Sequence, residues 1–163
     1  MLDTINGVPV HPLVVHAVVV LLPLAALGVV ATAVRSAWLA RFGSVVVATA
    51  ALAVVTIPLA TASGDRLEAR VGNPGLHAEL GDTLLWFALP LLAVAVVLVW
   101  RRRRSAAADP ASPRAGRPVV TATVSILAVV LAVADLVQVY RVGDSGARAA
   151  WSNVGSATRA TRH

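Results

Sequence analysis

The chain contains no cysteine and no lysine, and only 13% of its residues are charged. Without cysteine there is no disulfide, zinc ribbon, iron–sulfur cluster or thiol nucleophile, so any metal must rest on histidine and carboxylate groups. Aromatic residues are scarce too, at 4%. Neither a Gly-x-Gly-x-x-Gly fingerprint nor a P-loop occurs, and strand and helix patterns do not alternate, which removes the nucleotide-binding α/β folds. The 14 basic residues are all arginine, giving a net charge of +6. Such a charge suits nucleic acid when it forms a basic face on a soluble domain. Here the arginines cluster between apolar runs, as membrane-orientation signals do, so nucleic acid is not expected as a partner.

What the chain has in quantity is apolar surface: 58% of residues are hydrophobic and the mean hydropathy is +0.79. Soluble domains run nearer ~45–50%. The stretch Val8–Val34 holds no ionisable side chain except His11 and His16, and it exceeds the ~20 apolar residues that cross a bilayer. Three more long apolar runs follow, the last of them carrying Asp135. The pattern predicts an all-α, four-transmembrane-helix bundle over residues 1–140, with spans at about 11–34, 43–63, 80–100 and 119–140, then a flexible basic tail over 141–163. Ala31-Thr32-Ala33 imitates a signal-peptide cleavage site. Because no Lys or Arg precedes the run, and it outlasts an h-region of about 7–15 residues, the first span is read as uncleaved. Arg35 and Arg41 bracket a short connection, Asn73-Pro74-Gly75 marks a turn, and Pro23, Pro58 and Pro90 fall inside spans.

Each of the later spans carries a stripe at helical spacing. In the second it is Thr49, Ala53, Thr56, Ala60 and Ser63; in the third, His77, Gly81, Leu84, Ala88, Leu91 and Ala95. In the fourth it is Thr121, Ser125, Ala128, Ala132 and Asp135. Small residues on one stripe let helices pack closely in lipid. His77 and Asp135 therefore point to the packed side. Arginine counts in the short connections place the first and third on the cytoplasmic side, with both termini outside. The four arginines of the tail argue against that orientation, and the Arg101–Arg104 run outweighs them. On this topology His11, His16, His77, Asp65, Glu79, Asp82 and Asp135 gather near the outer boundary.

Ionisable groups at a membrane span are costly and mark function more often than elsewhere. His11 and His16 are five residues apart, about 140° around a helix, so they diverge if both are helical. Histidines from different helices suit axial ligation of haem b, with His16 and His77 as ligands and His11 and Asp135 in support. The alternative is a metal ion held by His11, His16, His77 and Asp135. Set against both is a structural role, the commoner one for such residues, in which interfacial histidines cap helix ends and bond to headgroups or backbone. Asp135 reads either as a proton acceptor or counter-charge to His16 or His77, or as a group that stabilises the bundle. Gly143-Asp144-Ser145-Gly146 imitates the nucleophile segment of trypsin-like proteases, without the β-barrel or histidine such chemistry requires. No enzymatic constellation is present.

The run Gly7-Val8-Pro9-Val10-His11-Pro12-Leu13-Val14-Val15-His16 resembles the His-Pro-x-x-Val-His opening of a bacterial multi-pass membrane family, domain of unknown function 2231. Ser63-Gly64-Asp65 and His77-Ala78-Glu79-Leu80-Gly81 are similar to it as well. The resemblance implies a four-helix protein of the bacterial inner membrane. Relatives carry a Gly-His-x-Gly segment after helix four, where this chain has Asp144. Two functions are thus expected: a small haem b or metal-binding redox subunit with a membrane redox partner, or a non-catalytic scaffold or homo-oligomer in the lipid bilayer.

Overall fold

The computed structural model describes residues 4–5, 8–72, 75–107 and 117–160. After a two-residue antiparallel pairing of β1 (Thr4–Ile5) with β2 (Val8–Pro9), four helices follow: α1 (Val10–Val34), α2 (Ser36–Val71), α3 (Leu76–Ala107) and α4 (Arg117–Ala160). All four are long and apolar enough to cross a membrane. They alternate in direction around a ring, α1 packing on α2 and α4, and α3 on the same two. Helices α1 and α3 thus face each other diagonally.

The packed faces follow the stripes. Leu84, Ala88, Leu91 and Ala95 of α3 are buried, as are Ala128, Ala132 and Asp135 of α4, whereas Thr121 at the start of that stripe is exposed and Ser125 half-buried. On α2 the buried line runs through Ala50, Ala53 and Ile57, so it shares Ala53 with the stripe and is otherwise turned slightly from it. Thr49 and Thr56 bond back to Val45 O and Leu52 O of their own helix, which satisfies their hydroxyls without a partner helix. The opposite faces present Leu24, Leu27, Leu52, Val55, Leu59, Ile126 and Val130. Lipid covers such a surface, since water around it would be strongly unfavourable.

Two departures from the sequence reading concern helix ends. The first connection shrinks to Arg35, extended at φ −121° and ψ 107°, and Ser36–Arg41 already belong to α2. Its early turns hold an interfacial cluster: Trp38 stands edge-on to Phe42, with Arg35 over Trp38 and Arg41 over Phe42. At the other end, α4 does not stop near Tyr140. It remains helical through Ala160, across most of the segment read as a flexible tail. No proline interrupts that segment, and Ala147, Ala149 and the i,i+4 pair of Asp144 with Arg148 favour helix around Gly143 and Gly146.

These extensions matter for function. Helix α2 has 36 residues and α4 has 44. At ~1.5 Å per residue both exceed a hydrocarbon core of ~30 Å. Their C-terminal turns rise beyond the span, beside the N-terminal turns of α1 and α3. Gly72 (φ +92°) ends α2, its N–H donating to Glu68 O at 2.8 Å, and Gly75 (φ +63°) leads into α3. Both occupy backbone regions that disfavour a Cβ. Asn73 and Pro74 of the expected turn, most of the third connection and His163 lie outside the described residues.

Candidate functional site

His11 is the second residue of α1 and His77 the second of α3. A first helical turn tolerates Pro12, whose missing N–H has no helical partner to lose. The His11 ring crosses to α2, where Nδ1 lies 3.1 Å from Ala60 O and 3.1 Å from Ser63 Oγ. The Ser63 hydroxyl donates to the same Ala60 O at 2.8 Å. A carbonyl only accepts, so Nδ1 is the donor, and in the neutral ring Nε2 is then the nitrogen with a lone pair. The ring lies against Gly64, where a Cβ would approach its Cε1 to 3.1 Å.

His77 reaches α4 in the same manner. Its Nδ1 donates to Val142 O at 3.1 Å, and Ser145 Oγ donates to that carbonyl at 2.9 Å. Gly146 lies beneath the ring, where a Cβ would come within 2.9 Å of Cε1 and Nδ1. Again the bond sets the tautomer, and Nε2 remains available.

Both rings line one cavity of about 750 Å³ between the helix ends. Its walls are largely apolar, including Val15, Val18, Ile57, Leu84, Val139 and Val142. Asp65, Glu68 and Asp82 bring carboxylates to it, and no arginine lines it among the described residues. The cavity falls within the ~300–1,000 Å³ typical of small-molecule pockets.

The other residues singled out from sequence lie elsewhere. His16 is exposed and donates from Nδ1 to Pro12 O of its own helix at 2.6 Å. Both His11 and His16 are helical, so they diverge, and His16 does not line the cavity. Glu79 is exposed. Asp135 is 0% exposed, one turn deeper than the lining residue Val139, and neither carboxylate oxygen has a hydrogen-bonding partner among the described residues. It makes no contact of counter-charge type with His16 or His77. Among the described residues no three His, Asp or Glu side chains gather as a metal cluster would. The four residues proposed for a metal ion are therefore not brought together.

Sequence reasoning missed several contributors. Gly64, Val142, Ser145 and Gly146 build the walls against which the rings rest, and Gln138 is buried on the same face as Asp135. Gln138 Nε2 donates to Thr83 Oγ1 at 2.8 Å and to Leu80 O at 3.2 Å. A signal existed for most of them. Gln138 continues the Ala132–Asp135 stripe, and a Ser-Gly pair occurs in both returning helices.

The family model described as Predicted membrane protein (DUF2231) matches residues 7–159. No curated protein and no solved structure matches the chain.

Proposed function

The chain belongs to this family of predicted membrane proteins, and from that premise we propose that it is a small membrane protein that holds haem b between His11 and His77. One observation carries the reading: two imidazoles line a single cavity, each with Nδ1 committed to a main-chain carbonyl and Nε2 without a hydrogen-bond partner among the described residues. Metal-ligating histidines are oriented by just such a bond. A bare ion such as zinc needs about four ligands. Among the described residues no carboxylate joins the two imidazoles in a metal-ligating cluster, so the pair would suit a group that brings most of its own ligands. Haem is that group, and the apolar walls match its macrocycle. Bound haem would supply one-electron chemistry. With such a group bound, the carboxylates of Asp65, Glu68 and Asp82 would favour its oxidised state, since potential follows local charge.

The cavity opens on the side of the helix ends opposite Arg35 and Arg101–Arg104. With the arginine-rich rim in the cytoplasm, both termini and the cavity face outward from the bacterial inner membrane. A redox partner would approach there. The scaffold reading has less support, because Ala53, Ala128 and Ala132 are consumed by packing within this bundle.

The test is an absorption spectrum of the detergent-solubilised protein, expressed with haem available. A Soret band is expected, lost in His11→Ala and in His77→Ala and retained in His16→Ala. Colourless protein that takes up no haem on reconstitution, or a band that depends on His16 and not His11, overturns the proposal.

A further inference from the structure

The surroundings of His11 and His77 match atom for atom in ways that neither ring requires of the other. Each histidine is the second residue of an outgoing helix. Each donates Nδ1–H to a carbonyl on the returning helix that follows it, Ala60 O or Val142 O, both at 3.1 Å. In each case a serine three residues further on donates to that same carbonyl, Ser63 at 2.8 Å and Ser145 at 2.9 Å. In each case the next residue is a glycine under the ring, Gly64 or Gly146.

We infer that the cavity is built from one device used twice: a helix-start histidine clamped by a carbonyl, a serine and a glycine of the next helix, with Ser63, Gly64, Ser145 and Gly146 as its positioning residues. The halves α1–α2 and α3–α4 each contain two spans, so they enter the membrane in the same direction. Parallel repeats of this kind are related by an axis along the membrane normal. Such an axis, passing between diagonal helices α1 and α3, would relate the two histidines and their clamps across the cavity they share.

The glycines are part of the device because the ring and the helix backbone approach too closely for a side chain. Real Cβ atoms do not sit 2.9 Å from a ring carbon and nitrogen, so Gly146→Ala displaces His77. Gly64→Ala, at 3.1 Å, displaces His11 less. The halves differ in one respect. Ser63 Oγ is also within 3.1 Å of the His11 nitrogen, which gives that ring a second acceptor.

This inference rests on the haem reading only for the identity of the ligand, and its test separates the two. Side-chain ¹⁵N spectra of histidine-labelled protein without haem are expected to give His11 and His77 the same pattern, protonated Nδ1 and bare Nε2. Gly64→Ala should move the His11 signals alone and Gly146→Ala the His77 signals alone. Gly143→Ala, on the same helix with nothing within 4 Å of its Cβ, should move neither. Ser63→Ala and Ser145→Ala, which remove only a hydroxyl, should act on the same rings if the glycine variants fail to fold. With haem added, each glycine variant should weaken binding about 10- to 100-fold, the usual effect of disturbing a ligand's supporting group. Histidine signals that respond as described in a protein without haem affinity would uphold the repeat and remove the haem proposal. Unmoved signals in all four variants, in a protein that binds haem, would overturn the repeat and leave the haem proposal standing.

Discussion

Two buried polar residues on one face of α4 sit about one turn apart and differ in kind. Gln138 is bonded to Thr83 and Leu80, whereas Asp135 has two buried oxygens without partners among the described residues. An unsatisfied buried polar group costs about 1–3 kcal/mol, and replacing it by an apolar group of similar shape removes that cost. Asp135→Leu is therefore expected to stabilise the bundle by about 1–3 kcal/mol. Gln138→Leu should destabilise it by roughly 0.5–1.5 kcal/mol, as the loss of an interhelical hydrogen bond in a membrane typically does. Reversible unfolding in mixed micelles measures both. A loss of stability in Asp135→Leu would mean that the carboxyl group makes a favourable contact in the bilayer. The position of Asp135 on the inner stripe was readable from its spacing to Ala128 and Ala132. Its isolation was not, because that depends on what α1 and α3 bring opposite it.

The overhanging ends of α2 and α4 turn a plain four-helix bundle into one with a pocket. Val142, Gly146 and Ala149 line the cavity, and all three follow Tyr140, where the apolar run ends. Hydropathy marks where a helix leaves lipid and carries no instruction for where it stops. A chain truncated after Tyr140 keeps all four apolar runs but loses the carbonyl, serine and glycine that hold His77. It is expected to remain in the membrane fraction while its haem absorbance disappears. Retention of the full Soret band after truncation would show that α4 beyond Tyr140 has no part in the site. Comparing His16→Ala with His77→Ala isolates the contribution of the clamp. Among the described residues His16 bonds only within α1, so its removal should leave the spectrum intact.

Charge and aromatic residues divide the molecule into two unlike ends. At one, Arg35 lies over Trp38, Arg104 over Trp100 at 4.2 Å, and Arg103 reaches Ser44 on α2 at 3.2 Å. At the other are His11, His77, Asp65, Glu68 and Asp82. Arginine paired with tryptophan suits the headgroup layer, where an apolar body and a polar tip are both satisfied. The native chain has no cysteine, so single introduced thiols report orientation cleanly. Ser105→Cys in intact cells is expected to resist an impermeant maleimide until the membrane is opened, while Leu76→Cys should react at once. The reverse pattern would put the cavity in the cytoplasm.

Four spans, the buried stretches from Leu84 to Ala95 and from Ala128 to Asp135 of two stripes and the inward aim of His77 came from the order of residues alone, because a helix repeats every 3.6 residues whatever surrounds it. Helix periodicity is a local property, and so is the energetic demand of a bilayer for unbroken apolar runs. Which histidines share a cavity was decided only by the assembled bundle. His11 meets Ala60 across 49 positions and His77 meets Val142 across 65, and no local rule sets the register between such distant turns. Ring rotation, the glycine beneath each ring and the height of the overhanging helices are all consequences of that register.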